Sequence, residues 1–238
     1  MKKHCIAVLL AAALPAAALA APCKFAADGD VNGALRLAAA VGDVQEVRCL
    51  LDNGASANAA DKNGWTALMD AVMGSEHNTD TVRYLIAGGA DVNATDKNGV
   101  TVLMHAVTYG HTDIARVLIE KGANVNAVIP KGELAGFTVL MRAVMYGRTD
   151  IARLLIEKGA NVNAAVPKGE AAGTTALMGA VADGRTDIVR LLIEKGANVN
   201  AATKDGATAL NIALAMSLVR TGWDTSIVEM LRAAGAKE

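Results

Sequence analysis

Apolar residues recur along this 238-residue chain at helical spacing, in short segments that come in pairs separated by polar turns. One pair of segments, between residues 138 and 158, has apolar positions at Val139, Leu140, Ala143, Val144, Ile151, Leu154, Leu155 and Ile156. The pattern predicts two helices of no more than about three turns each. Such short helices are unstable alone, so each must bury its apolar face on a neighbour.

Polar residues and glycines mark the ends of these helices. Thr138 precedes the first helix and is expected to cap it by accepting a backbone N–H. Gly147 separates the two helices, and the pair 149–150, Thr-Asp, is predicted to cap the second and to place negative charge at its N-terminus. Gly159 ends the second helix, where a left-handed conformation is favoured.

The whole pattern repeats along the chain. The sequence from Thr138 to Ala164 is TVLMRAVMYGRTDIARLLIEKGANVNA, and it returns with few changes. Other copies open at Thr66, Thr101, Thr175 and Thr208, and a truncated one opens at Gly33. The opening threonines are 35, 37, 37 and 33 residues apart. A nearly fixed period of this length predicts an array of stacked repeats.

The repeated unit resembles an ankyrin repeat. The family pattern D-x-x-G-x-T-P-L-H-x-A-A-x-x-G-H-x-x-I/V-V-x-x-L-L-x-x-G-A-D/N-V-N-A is met almost position by position from Asp96 to Ala127. The resemblance implies an all-α repeat solenoid of helix–turn–helix units joined by β-hairpin loops. One departure is systematic, because T-P-L-H becomes Thr-Ala/Val-Leu-Met. We expect the methionines at this position to fill the core, namely Met69, Met104, Met141 and Met178.

The chain is divided into a signal peptide, a leader and six repeat units. Residues 1–20 combine Lys2 and Lys3, an apolar run and small residues before a cleavage site after Ala20, which predicts a secretory signal peptide. The alternative, a retained membrane anchor, is disfavoured because the apolar run is short. Residues 21–27 form the leader, and the units cover roughly 28–60, 61–95, 96–128, 129–165, 166–202 and 203–238, with the outermost two as caps. The signal looks bacterial, so we expect a periplasmic protein.

Net charge narrows the classes of partner. The chain has 23 basic and 24 acidic residues, and loss of Lys2 and Lys3 with the signal peptide leaves 21 basic residues. This weak acidity argues against nucleic acid as a partner. No run of like charges suggests a membrane surface. We therefore expect an exported monomer whose partner is another protein.

Two cysteines, Cys23 and Cys49, remain after signal cleavage. In an oxidising compartment a pair predicts a disulfide, which here would hold the leader against the first repeat. The alternative is two unpaired thiols, with Cys49 acting as a small core residue.

Catalytic signatures are missing from the sequence. There is no G-x-S-x-G, no H-E-x-x-H and no phosphate-binding glycine loop. We predict no enzymatic activity, no cofactor and no metal. The row of methionines leaves one alternative open, a Cu(I) site, because thioethers are soft ligands. Regularly spaced methionine more often fills a core.

The resemblance also implies where a partner binds. Ankyrin proteins line a concave groove with the hairpin residue before the Thr and with the two residues that end the first helix. The corresponding positions here are Trp65, Met73, Thr108, Tyr109, Phe137, Met145, Tyr146 and Asp183. Aromatic residues and methionine are enriched at interface centres. The alternative is chance clustering or packing between repeats.

Two consecutive hairpins carry matched four-residue insertions, with Lys131 and Lys168 at equivalent places. Insertions on one face of a solenoid often mark its binding face, so we predict two fingers that project side by side as part of a mildly basic rim. The alternative is a neutral insertion that was duplicated with its repeat.

One further position is charged in several repeats. The residue after each core methionine is Asp70, His105, Arg142 and Gly179 in successive units. These residues could stack as a charged ladder, but we favour a solvated face.

The sequence thus predicts a non-enzymatic protein–protein interaction module of the periplasm. It would regulate or protect an exported enzyme, for example one in oxidative-stress defence. Two alternatives stay open: an inhibitor or immunity protein for a secreted toxin, and a small-ligand or Cu(I) binder.

Overall fold

A computed structural model of the protein describes residues 23–24 and 29–237. The predicted signal peptide and most of the leader lie outside the described residues. The described part contains twelve α-helices in six consecutive pairs. Their bounds are α1 (Val31–Val41), α2 (Val44–Asp52), α3 (Ala67–Met73), α4 (Thr79–Ala87), α5 (Val102–Tyr109), α6 (Thr112–Glu120), α7 (Val139–Met145), α8 (Thr149–Glu157), α9 (Ala176–Ala182), α10 (Thr186–Glu194), α11 (Ala209–Val219) and α12 (Ser226–Ala233). None of them is long and apolar enough to cross a membrane.

The helix pairs stack in chain order. The first helix of each pair, here called the inner helix, contacts the inner helix of the next pair, and the second or outer helices do the same. Each of the five loops between consecutive pairs closes with one antiparallel bridge, such as that between Val128 and Thr138. The chain is therefore an all-α repeat solenoid with hairpin loops, as the sequence predicted. The exact unit boundaries stay a prediction.

Threonine caps begin the inner helices of repeats two to six. In each case the hydroxyl accepts the backbone N–H three residues later, as Thr138 does from Met141. The same bond occurs at Thr66, Thr101, Thr175 and Thr208. It satisfies a donor that the helix itself cannot pair.

The predicted cap of the second helix is wrong. Thr149 is the first residue of α8, and its preceding residue, Arg148, makes no side-chain cap bond. The Thr149 hydroxyl instead donates to the carboxylate of Asp187 in the next repeat, over 2.6 Å. This charge-assisted bond between repeats takes the place of the local one.

Methionine fills the core as predicted. The four methionines that replace the family's histidine are Met69, Met104, Met141 and Met178, and they are between 0% and 4% exposed. They lie in one continuous apolar cluster with the alanines and leucines of the inner helices. Unbranched thioethers adapt well to such irregular gaps.

A row of asparagines joins each repeat to the next. The amide of Asn126 donates to the carbonyl of Gly159 over 3.1 Å, and its oxygen accepts the N–H of Asn161 over 2.8 Å. Equivalent pairs of bonds are formed by Asn58, Asn93, Asn163 and Asn200. Each asparagine therefore satisfies two backbone groups of the following repeat.

Replacing Asn126 by alanine is expected to lower the free energy of unfolding by about 2 kcal/mol, because both bonds to the next repeat are lost and net hydrogen bonds contribute about 1 kcal/mol each. Urea denaturation followed by circular dichroism measures the change. Asn98→Ala is the matched control, since the Asn98 side chain forms no hydrogen bond with any described residue; it should shift stability by less than about 0.5 kcal/mol. Equal effects of the two substitutions would contradict the prediction.

The structure joins Cys23 and Cys49 in a disulfide, with 5.8 Å between their Cα atoms. The bridge connects the segment before α1 to α2. Lys24, next to the bridge, forms an ion pair with Asp43 over 3.2 Å. The described end of the leader is thus held against the first repeat.

The two longer hairpins do not project freely. Each loop is closed by backbone bonds, such as that from the N–H of Gly136 to the carbonyl of Ile129. A Cβ on Gly136 would lie 2.8 Å from Cδ of Pro167, and one on Gly99 would lie closer still to the ring of Pro130. Consecutive hairpins therefore touch each other, while their tips, including Lys131, are exposed.

Candidate protein-binding groove

The residues that end the inner helices of the first five repeats form one face of the stack, here called the groove face. Its members are Val41, Met73, Thr108, Tyr109, Met145, Tyr146, Ala182 and Asp183. Large apolar side chains stand exposed on it, with Met73 and Tyr109 each 42% and Tyr146 39% accessible. Asp183 is also exposed, whereas Thr108 and Met145 are half-buried. The predicted helix-end residues therefore share one accessible surface.

The predicted hairpin aromatics are less available than expected. The indole of Trp65 lies 4.7 Å, centroid to centroid, from the ring of His105 in the next repeat. Trp65 and Phe137 are both half-buried against the core cluster. For Trp65 the alternative interpretation, packing between repeats, is what the structure shows.

Sequence reasoning missed one apolar residue of this surface. Val41, the last residue of α1, is 62% exposed, more than either tyrosine. Counted from Gly33, Val41 stands at the same position as Tyr109 does from Thr101. This register was available in the sequence, but the first unit was interpreted only as a cap. The apolar surface of the groove face therefore extends onto the first repeat.

The charged positions beneath the groove face do not form a solvated surface, and that expectation was wrong. His105 is 7% and Arg142 is 9% exposed. Asp70 forms an ion pair with Arg36 over 2.6 Å, and Nε2 of His105 lies 3.5 Å from the carboxylate of Asp96. Buried charges need such partners, because burial removes their hydration.

Arg142 ties two of the groove residues together. Its Nε donates to the hydroxyl of Thr108 over 2.7 Å, and its guanidinium lies 5.5 Å from the centre of the Tyr146 ring. Arg148 adds a bond from Nη2 to the carbonyl of Thr108 over 2.9 Å. The tyrosine is thus held by a cation–π contact and presents a fixed face to a partner.

Burial shifts two pKa values in this layer. Burial raises the pKa of the Asp70 carboxyl even though Arg36 opposes the shift. Burial also lowers the pKa of His105, and the charge of Arg142 adds to that effect while Asp96 opposes it. His105 is therefore held neutral in the folded protein at pH values where the unfolded chain begins to protonate.

The His105 shift predicts a pH dependence of stability. Because the folded pKa lies below the ordinary value of about 6.5, the unfolded chain binds the proton more readily, and stability falls as the pH drops below that value. We expect the free energy of unfolding to decline from pH 7 to pH 5, with a shallower decline in His105→Gln. Urea denaturation at each pH measures both slopes. Since the other histidines are present in both proteins, parallel slopes would contradict the prediction.

The hairpin tips carry both signs of charge. Lys131 and Lys168 are exposed as predicted, but each has an exposed glutamate two residues later, Glu133 and Glu170. Lys97 on the preceding hairpin donates to the side chain of Asn63 over 2.8 Å. The rim is therefore closer to neutral at the two long hairpins than the lysines alone suggested.

Metal ligands do not gather in the described part of the chain. Across residues 23–24 and 29–237, no three His, Cys, Asp or Glu side chains lie close enough to hold an ion. The methionine row, which left a Cu(I) site open, lies inside the apolar core.

Comparison with known proteins agrees with this architecture. The family model described as ankyrin repeats, three copies, matches residues 16–96, 71–166 and 165–237. The chain belongs to the ankyrin-repeat family. The resemblance found in the sequence is thereby confirmed, and ankyrin repeats imply protein–protein interaction. A comparison with curated proteins found no match.

One solved structure is similar over most of both chains. It is titled as the predatory endopeptidase Bd0816 from Bdellovibrio bacteriovorus in complex with the immunity protein Bd3460. The likeness has a TM-score of 0.68 and 32% sequence identity, and it covers 84% of this chain and 97% of that chain. The similar chain is the ankyrin-like immunity protein.

Proposed function

We propose that this ankyrin-repeat protein is an exported inhibitor that protects its own cell by binding an endopeptidase. The observation that carries the proposal is the likeness, at 32% identity over 97% of that chain, to the ankyrin-like protein of an endopeptidase–immunity complex. This favours the alternative of an inhibitor or immunity protein over a general regulator. It gives no support to a role in oxidative-stress defence.

The groove face suits such a partner. It offers exposed tyrosines and aliphatic side chains on rigid helix ends, with Tyr146 held by Arg142. Aromatic anchors on a fixed scaffold are what high-affinity protein interfaces use. The surface needs no catalytic group to act, because a bound protein blocks an enzyme by occupying its cleft or the approach to it.

Export to the periplasm is part of the proposal. The predicted signal peptide and the Cys23–Cys49 disulfide both support it, since disulfides persist in oxidising compartments. An inhibitor of an exported endopeptidase has to reside where the enzyme acts.

An inhibition assay tests the proposal. Mature protein from residue 21 onward is titrated against purified exported endopeptidases of the same cell and against Bd0816, and hydrolysis is followed at each ratio. We expect one of these enzymes to lose activity at one-to-one stoichiometry. Binding without loss of activity would instead indicate a regulator, and no binding to any of the endopeptidases would overturn the proposal.

Protection of cells gives a second readout. The inhibited endopeptidase is expressed in the periplasm of a laboratory bacterium, with or without this protein. Lysis should be suppressed only when the protein is exported with its signal peptide. Suppression by a variant that lacks residues 1–20 would contradict the periplasmic site of action.

A further inference from the structure

The layer beneath the groove face has a gap in one repeat. At the position after the core methionine, Asp70 meets Arg36, His105 packs against Trp65, and Arg142 lies over the Tyr146 ring. The fourth member of the series is Gly179, which has no side chain to fill the equivalent space.

A cavity of about 220 Å³ opens there. It lies between the fourth and fifth repeats and is here called the Gly179 pocket. Its apolar walls come from Phe137, Met141, Val144 and Met145, and its edge includes Asp183. Because Met145 and Asp183 belong to the groove face, the pocket opens on the surface that would meet a partner.

The fold itself does not require glycine at this position. Gly179 lies in the middle of α9 with ordinary helical backbone, and a Cβ added to it would meet only Cγ1 of Val144, at 3.7 Å. Glycine inside a helix is less stable than alanine by about 1 kcal/mol. The chain thus forgoes helix stability where packing would accept a side chain, which points to a use for the empty space.

The size and chemistry of the pocket define what fits. An apolar cavity of about 150 Å³ in a protein core takes up benzene, so the Gly179 pocket has room for the side chain of phenylalanine. At its edge the exposed carboxylate of Asp183 forms no ion pair with any described residue. A cation placed beside the apolar group would complement that charge.

We propose that the Gly179 pocket receives one phenylalanine-sized apolar side chain from a loop of the partner enzyme, with an adjacent lysine or arginine of that loop at Asp183. The nature of the partner rests on the proposed function. The recognition chemistry rests only on the pocket. A buried apolar anchor in a fitted pocket, next to the exposed tyrosines, forms the centre of the interface.

A small probe tests the pocket without the enzyme. N-acetyl-phenylalaninamide is titrated into full-length mature protein whose methionine methyl groups are labelled, and their NMR shifts are recorded. We expect the methyl signals of Met141 and Met145 to move, with a dissociation constant of about 1 mM for a probe of this size. Met69, in the second repeat, serves as the internal control and should not move. No movement at about 20 mM probe would overturn the pocket assignment.

A second experiment fills the pocket by substitution at Gly179. Gly179→Leu occupies the cavity, while Gly179→Ala is the matched control that removes the glycine but leaves most of the space. Both variants should melt at or above the wild-type temperature, since the helix gains a better former. Only Gly179→Leu should abolish the probe shifts and weaken inhibition of the endopeptidase by at least about tenfold. Undiminished inhibition by a folded Gly179→Leu would overturn the proposal.

Two charged peptide probes test the role of the Asp183 carboxylate at the edge of the pocket. Acetyl-Phe-Lys-amide should bind more tightly than acetyl-Phe-Glu-amide, and Asp183→Asn should remove the difference. Equal binding of the two peptides to wild type would overturn the predicted cation at Asp183.

The outcomes separate this inference from the proposed function. Probe shifts without inhibition of any endopeptidase would keep the pocket and reject the inhibitor role. Inhibition that survives in Gly179→Leu would keep the inhibitor role and reject the pocket as its binding site. Light scattering of each protein tests whether a second copy of this chain occupies the pocket instead. Self-association of the wild type that is lost in Gly179→Leu would overturn the assignment to an enzyme loop.

Discussion

Replacing Tyr109 and Tyr146 together by alanine is expected to weaken binding to the inhibited endopeptidase by at least about 100-fold. The two rings are 42% and 39% exposed on the groove face, and truncation of a well-placed interface tyrosine costs about 2 kcal/mol. Because neither ring lies in the core, helical content and melting temperature should stay within the range of other surface variants. Isothermal titration calorimetry against the enzyme measures the loss.

The control for the tyrosines is a second pair of exposed apolar residues. Leu218 and Val219, at the end of α11, are 86% and 72% exposed and lie outside the groove face as defined. Their double alanine variant should bind as the wild type does. If the Leu218/Val219 variant lost binding and the tyrosine variant kept it, the partner would contact the end of the stack and the groove assignment would be wrong.

Removing the disulfide is expected to have the largest effect on stability. Cys23→Ser combined with Cys49→Ser should lower the free energy of unfolding by about 3 kcal/mol, because the bridge closes a loop with a sequence separation of 26 residues. The loss should concentrate in the first repeat, since each repeat of a solenoid contacts only its neighbours. Hydrogen exchange should show faster exchange in α1 and α2 and unchanged exchange in α7 and α8.

Wild type treated with a reductant provides the comparison for this variant. It should reproduce the exchange pattern of the double serine protein, while oxidised wild type should not. Uniform acceleration along all repeats, or no change at all, would show that the bridge does not stabilise the first repeat.

The fold could be predicted because its determinants are local and repeated. Thr138 caps its helix through a residue only three positions away, and the methionine equivalent to Met141 is buried in every repeat that has one. Thr149 shows where such reasoning ends. Its hydroxyl bonds to Asp187, 38 residues later, and only the stacking of repeats brings the two together. A local pattern does not hold that information.

The binding surface was predicted in part for the same reason. Tyr109 and Tyr146 were found by their position at helix ends, which the repeat fixes. The ring contact between Trp65 and His105 could not be predicted from one repeat, because its two partners lie in neighbouring repeats. Gly179 was noted in the sequence only as the uncharged member of its series, because a single glycine becomes a pocket only when the side chains of two adjacent repeats surround it.

The asparagine contacts between repeats also bear on how such a gene can diverge. Deletion of residues 138–174 would bring Thr175 to the place of Thr138, and Asn126 would then face Gly196 and the 198 amide, the groups that Asn163 bonds now. Unequal recombination between repeats can therefore remove or add a whole unit while the asparagine joint is remade with identical chemistry. Such events change the order and spacing of the tyrosines and the pocket along the groove. New binding specificity can therefore arise by shuffling repeats as well as by point substitution.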